Sequence, residues 1–231
     1  MAGPGERRYE RKRRVSSLES ACLCQMIWQH PARLDQLYQP RYINNVYLDT
    51  FFHSYFFDHV NGVPKRKKVR VRWYGELEGE DGAIDKLQLE IKKKDGTVMS
   101  KSVYQLASSS LDEMLRPGGL RELVTRSDCP ASITGLVASL RPVLVNRYRR
   151  EYFRTADKKV RITIDRDLRF YDVDRLRWQN NASYVDSAMI MEIKYDHRAV
   201  KEGTAVSSRF SIPLTKNSKY VYGMERLLGG L

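Results

Sequence analysis

The sequence predicts an α+β fold in which a large antiparallel sheet or barrel carries helices packed on its outside. Three observations lead there. Short stretches that alternate apolar and polar residues recur from end to end. Gly-, Pro- and Ser-bearing turns separate them. Segments with helical spacing fall between groups of strands rather than after each one.

The elements follow in order. Residues 1–6 read as a loose tail, and a strand covers about Arg7–Val15. A helix is expected over Ser17–His30 with Ser17 as its cap and Leu18, Ala21, Cys22, Ile27 and Trp28 along it. A strand follows at Ile43–Asp49, then the aromatic stretch Phe51–His59 as a short helix or tight loop packed on the core. Strands are expected at Lys68–Tyr74, Ile84–Lys94 and Thr97–Tyr104, with acidic Gly75–Asp85 as a solvated hairpin loop. Ser108–Ser110 starts a helix at Leu111, Asp112 and Glu113 suit its first turn, and Pro117-Gly118-Gly119 stops it. Two or three short helices fill Leu111–Leu140. Strands return at Val143–Arg154, Lys159–Asp165, Leu168–Val173 and Tyr184–Tyr195, and a turn and helix cover Lys216–Leu228. With no repeat and no composition shift, 1–231 reads as one domain.

Composition narrows the function. The 231 residues carry 41 Lys+Arg against 28 Asp+Glu, a formal net charge of +13, which calls for an anionic partner. At 42% hydrophobic residues the chain can build a core, yet no apolar run is long enough to span a bilayer. Met1–Val15 is basic without an apolar stretch, so secretion is not expected. Three cysteines, Cys22, Cys24 and Cys129, make no disulfide framework and suit a reducing, cytoplasmic setting.

Side chains alternate across a strand, so residues two apart share a face. Val69, Val71 and Trp73 face one way, and Lys68, Arg70 and Arg72 the other. The same division separates Leu87, Leu89 and Ile91 from Glu90, Lys92 and Lys94. It separates Val160, Ile162 and Ile164 from Arg161, Thr163 and Asp165, and Met189, Met191 and Ile193 from Glu192 and Lys194. Glu10, Lys12 and Arg14 share a face, as do Asn146, Tyr148, Arg150 and Tyr152. One such strand is an ordinary half-solvated strand. Six whose polar faces mix long cations with a carboxylate suggest a barrel with the charged faces turned inward. An interior rich in Arg and Lys is costly unless it binds anions. Arg offers a fork and Lys a point charge to phosphoryl oxygens, and the few carboxylates suit a hard divalent cation such as Mg²⁺ or Mn²⁺.

These residues resemble the VTC domain, the polyphosphate-polymerase branch of the triphosphate tunnel (CYTH-like) enzymes. The matching segments are Tyr9–Lys12, Val46–Thr50, Lys68–Tyr74, Leu89–Lys92 with Lys101, Tyr148–Arg150, Val160–Asp165, Met191–Tyr195 and Ser218–Tyr220, in family order. The resemblance implies an eight-stranded antiparallel tunnel for a triphosphate or polyphosphate chain. It implies Lys12, Arg70, Arg72, Lys92, Lys101, Arg150, Arg161, Lys194 and Lys219 as phosphate ligands, with Lys12, Arg70, Arg72, Lys92, Arg150 and Glu192 closest to the chemistry. It implies Glu192, Glu10 and Glu90 as ligands of Mn²⁺ or Mg²⁺, with Asp165 a weaker candidate. ATP would be the phosphoryl donor and polyphosphate the product; a triphosphatase or a non-catalytic polyphosphate-binding subunit are the alternatives. The CYTH enzymes open with Glu-x-Glu-x-Lys, whereas Arg8 stands at the first Glu position here, which favours the VTC branch. The short form is similar to bacterial members, with neither an SPX domain nor membrane segments expected; a membrane-protein partner stays compatible with it.

Other chemistry is set aside. There is no Gly-x-x-x-x-Gly-Lys-Ser/Thr loop for a P-loop NTPase. Cys22-x-Cys24 lacks a second pair for zinc, and the four histidines are scattered. Lys65–Lys68 reads as a solvated loop able to collect polyphosphate. A nucleic-acid-binding module would explain the charge, but not carboxylates on the basic faces, so no nucleic-acid partner is expected.

Overall fold

The computed structural model describes residues 8–173 and 183–229. The tail expected over residues 1–6 lies outside them. The strands are β1 (Arg8–Val15), β2 (Leu34–Asp49), β3 (Arg66–Tyr74), β4 (Gln88–Asp95), β5 (Val98–Gln105), β6 (Arg141–Thr155), β7 (Val160–Tyr171), β8 (Tyr184–Asp186) and β9 (Met189–Asp196). The helices are α1 (Ser20–Trp28), α2 (Ser54–Val60), α3 (Leu111–Leu115), α4 (Gly119–Arg126), α5 (Ala131–Ala138), α6 (Val200–Ser208) and α7 (Lys219–Leu228). The fold is α+β around a nine-stranded antiparallel sheet of order β1-β9-β7-β6-β2-β3-β4-β5, with β8 beside β7. Closure of this order into a barrel is not among the described pairings. The chain forms two compact units, one of Met1–Arg41, Tyr148–Leu168 and Asp186–Asn217, the other of Tyr42–Arg147, Arg169–Val185 and Ser218–Leu231.

In the first unit β1 pairs with β9, and β9 with the start of β7. Val160, Ile162, Ile164, Met191 and Ile193 are fully buried with Leu23 and Ile27 of α1 and Val206 of α6. Burying each such side chain contributes about 1.5–3 kcal/mol, which holds the two helices to the sheet. Gly203 lets α6 press on β9, since a Cβ there would stand 2.4 Å from the Tyr195 ring. Arg13, on the helix side of β1, donates to the Ser207 carbonyl at 2.5 Å, a cation at the last turn of α6.

In the second unit β2, β3, β4 and β5 pair in sequence, with Val46 opposite Val71 and Arg70 opposite Glu90. Val69, Val71, Trp73, Leu87, Leu89 and Ile91 form the floor of a second core, covered by Leu111, Met114 and Leu115 of α3 and by apolar residues of α4 and α5. Ser110 caps α3 by accepting the Glu113 amide. Ser218 caps α7, whose Tyr220 stacks on Tyr47 with ring centroids 5.0 Å apart. The apolar parity read from the sequence is therefore the parity of both cores.

Several local expectations are corrected. Ser17 does not cap α1: Ser16 and Glu19 bond reciprocally, closing a turn that delays the helix to Ser20. Leu18 precedes the helix, and Leu18 and Trp28 are about nine-tenths exposed. Of the aromatic rings in the stretch Phe51–His59, Phe56 is buried and Tyr55 packs half-buried on the second core, while Phe51, Phe52 and Phe57 are exposed. Ile84 makes an isolated bridge to Ser109, and β4 proper begins at Gln88. Lys65–Lys68 is not a loop, because Arg66 opens β3. The two strands expected over 159–173 are one, bent at Asp167 (φ 53°). Cys22, Cys24 and Cys129 are free thiols. No helix among the described residues is long and apolar enough to cross a membrane.

Candidate phosphate-binding site

The polar face of the first unit is built by register. β1 sets Lys12 opposite Glu192 and Glu10 opposite Lys194, while β7 sets Thr163 opposite Glu192 and Arg161 opposite Lys194. Four charges then interlock. Lys12 Nζ lies 2.8 Å from Glu10 and 3.3 Å from Glu192, and Lys194 Nζ lies 2.8 Å from Glu192 and 3.9 Å from Glu10. Lys12 also donates to the Asn217 carbonyl at 3.1 Å. Burial pulls the Lys12 pKa down, but Glu192 and Glu10 together outweigh it and the value is raised. Glu192 is nearly buried, and the Thr163 hydroxyl is buried without a hydrogen-bond partner.

Beside this quartet Arg150 grips the fully buried Asp165 bidentately, at 2.5 and 2.8 Å. Burial opposes the guanidinium charge, yet Asp165 raises its pKa well above the usual value, so Arg150 stays a fixed cation. Asp165 thus serves as the anchor of Arg150, with both its oxygens engaged. Arg161 is exposed.

On the second unit the same logic gives a more cationic face. Glu90, 2% exposed, accepts Arg70 at 2.5 and 2.8 Å and Lys101 at 2.5 Å, with Arg72 at 3.8 Å. Burial pushes the Glu90 pKa up, but Arg70, Arg72 and Lys101 reverse this and hold it down to about 2. Arg72 donates to Asn45 at 2.9 Å, and Asn45 to Asn146 at 2.8 Å, which fixes the guanidinium in place. Lys92 faces Lys101 across β4 and β5. Lys219 opens α7. Arg70, Arg72, Lys92, Lys101 and Lys219 thus share this unit with a single candidate carboxylate, Glu90; Lys12, Arg150, Arg161 and Lys194 share the first unit with Glu10, Glu192 and Asp165.

Sequence reasoning passed over several supports. Lys68 donates to Ser218 at 2.8 Å, joining β3 to the cap of α7. The Tyr47 ring lies 6.0 Å from the Arg70 guanidinium. Asp49 accepts the amides of Thr50, Tyr55 and Phe56 and the Tyr220 hydroxyl, which ties α2 and α7 to the end of β2. Alternation placed Lys68 on the right face, but no local signal marks the partners of Asp49.

A divalent cation fits part of this donor set. Mg²⁺ commonly takes one or two carboxylates and completes its shell with phosphates and water. Glu10 and Glu192 converge on one lysine, with the orphan Thr163 hydroxyl opposite Glu192, and suit that role. Glu90 does not, since three cations already surround it. Among the described residues no cluster of three or more His, Cys, Asp or Glu is arranged around one point.

No curated protein sequence matches the chain. In fold it is similar to a candidate adenylate cyclase from Vibrio parahaemolyticus, at 12% identity over 94% of this chain and 98% of that one, TM-score 0.52. It is equally similar to a candidate adenylyl cyclase from Hippeastrum described as having a dominant triphosphatase activity, at 12% identity, 96% of each chain and TM-score 0.52. The VTC domain family matches residues 8–228, so the chain belongs to the VTC domain family.

Proposed function

We propose that this chain is a metal-dependent polyphosphate polymerase, one domain that moves the γ-phosphoryl group of ATP onto the end of a growing polyphosphate. The observation that carries this reading is that Glu10 and Glu192 sit among cations on the strand faces, both held by lysine. A surface evolved for bare phosphate would gain nothing from these carboxylates. A surface that takes phosphate together with a divalent cation needs them. In this reading the charged faces enclose the substrate as an eight-stranded tunnel.

The residues divide the work. Arg70 and Arg72 present forked donors and Lys12, Lys101 and Lys194 point charges to phosphoryl oxygens, while Arg150 is held rigid by Asp165. As the triphosphate enters, its oxygens replace the carboxylates as partners of Lys12 and Lys194, freeing Glu10 and Glu192. A divalent cation on those two carboxylates would neutralise charge on the phosphates. A terminal oxygen of the polyphosphate then attacks the γ-phosphorus, the bond to the β-phosphate oxygen breaks, and ADP leaves with that electron pair. No proton need move. Positioning and fixed charge supply most of the rate in such transfers.

A second reading, triphosphate hydrolysis, draws support from the Hippeastrum fold relative, whose described activity is a triphosphatase. In that case water takes the place of the acceptor chain. One experiment separates them: ATP with Mn²⁺ or Mg²⁺, wild type against Glu192→Gln, products run on a polyphosphate-stained gel. Long chains with ADP, lost in the variant, are the expected result. Free phosphate without chains would replace the polymerase with the hydrolase. Metal-independent polyphosphate binding with no turnover would leave a binding subunit.

A further inference from the structure

A cavity of about 630 Å³ opens in the second unit, among α3, α4, α5, the start of β6 and the end of α7. That volume lies within the usual range of small-molecule sites, about 300–1,000 Å³. None of the cations named above for phosphate lines it. Its floor is mainly apolar, built from Leu120, Val137, Val143, Val173 and Met224. Its rim is basic, with Arg116, Arg121 and Arg141 all exposed, and Asp172 is the one carboxylate among the described lining residues.

The rim groups differ in what they already do. Arg116 is paired with Glu122. Arg141 donates to the Phe51 carbonyl at 3.2 Å and lies 4.7 Å from the centre of the exposed Phe51 ring. It also approaches His53 Nε2 at 3.4 Å, while His53 Nδ1 is buried with no hydrogen-bond partner. The Arg121 side chain has no ion-pair or hydrogen-bond partner among the described residues. A cavity with a mainly apolar floor and an incompletely neutralised basic mouth does not suit a bare anion, which would gain little from the floor. It does not suit a neutral hydrocarbon either, which would leave the guanidiniums unused.

We infer that this cavity binds a single-chain amphiphilic anion, with the apolar chain on the floor and a phosphate or carboxylate head at Arg121 and Arg141. The site is separate from the phosphate-handling faces and does not depend on how they work. The aromatic ring of Phe51 at the mouth adds an apolar lip over which the chain enters.

The test is calorimetric titration of the full chain with dodecyl phosphate below its micellar concentration, beside dodecanol and inorganic phosphate. Dodecyl phosphate is expected to bind, at least ten-fold more tightly than dodecanol. Heat from inorganic phosphate, which the strand faces take up, should be the same in wild type and in the double variant Arg121→Glu, Arg141→Glu. That variant should weaken dodecyl phosphate ten-fold or more and leave dodecanol unchanged. Both substitutions lie on the exposed rim, and an unchanged melting temperature confirms the fold. A dodecyl carboxylate that binds as dodecyl phosphate does would assign the head site to anions in general, as proposed. Equal binding of dodecanol, equal binding by the double variant, heat from inorganic phosphate lost in that variant, or no binding at all would each overturn the inference.

Discussion

Glu90 shows how a buried charge can carry stability. It is almost fully buried, so its charge is tolerable only because Arg70, Arg72 and Lys101 surround it. Its pKa, near 2, lies below the ordinary carboxylate value. The unfolded chain therefore binds the extra proton first on acidification. The stabilising contribution is complete above the ordinary value and fades as the pH falls toward 2. From about pH 6 to about pH 3 the wild type should lose about 2 kcal/mol that Glu90→Gln does not. Urea unfolding of both proteins at the two pH values checks this; a stability gap that stays constant would contradict the assignment. Tyr220 gives a second residue-scale prediction. Its hydroxyl donates to Asp49, and burial first, then Asp49, drives its pKa far up, so it stays a neutral donor at every working pH. Tyr220→Phe should cost about 1–2 kcal/mol with no new pH dependence, measured as a lower urea midpoint at unchanged slope. Of these two residues, Glu90 was legible as a member of a charged strand face because the period of two is local. Asp49 was not legible as a hub, since Tyr220, its hydroxyl partner, lies 171 residues away.

At the scale of elements, what the sequence displayed was alternation, and what it concealed was everything held by tertiary contact. β2 begins at Leu34 rather than Ile43 because its first half, with Asp35, Gln36, Gln39 and Pro40, is half-exposed or exposed throughout and shows no apolar face. α6 was absent from the sequence reading: Gly203, Thr204 and two β-branched valines are weak helix formers. The helix stands because Val206 enters the first core and Gly203 meets the Tyr195 ring. α7 makes the same point from the other side. The sequence placed a turn and helix over Lys216–Leu228, but showed neither that Ser218 caps it nor the need for Gly223. A Cβ there would lie 2.6 Å from Phe170 Cδ1 and 2.7 Å from Leu144 Cδ2, both in fully buried side chains. Helix propensity alone would favour Ala by about 1 kcal/mol. Overpacking costs about 1–3 kcal/mol and should win, since neither neighbour can retreat into solvent. Gly223→Ala is thus expected to lower the melting temperature, whereas the solvent-facing helix glycine Gly135, with nothing within 4 Å of a Cβ, should gain from the same change. Thermal melting of the pair tests the contrast.

At the scale of the whole molecule, the net charge of +13 pointed to an anion, and the strand parity showed where the charge is spent. Among the candidate ligands, the second unit sets five cations against Glu90 alone, whereas the first sets Lys12, Arg150, Arg161 and Lys194 against Glu10, Glu192 and Asp165. This division was invisible in the sequence, because both units are assembled from three separate stretches of chain. It has a consequence for binding. Raising salt from about 0.1 to about 1 M shortens the screening length from about 10 to about 3 Å. Exposed cations such as Lys92 and Arg161 then lose most of their pull on a phosphate chain. Buried or fixed ones, such as Arg72 on Asn45 and Arg150 on Asp165, are screened much less. Polyphosphate affinity should therefore fall at least ten-fold across that range and then level off instead of vanishing. Lys92→Ala should flatten the salt dependence, whereas Arg72→Ala should lower affinity at every salt concentration. Fluorescence titration with a labelled polyphosphate across the salt series reads both effects. A wild-type affinity that falls without limit as salt rises would mean that solvent-facing charge alone holds the chain, and that the paired cations on the strand faces are structural.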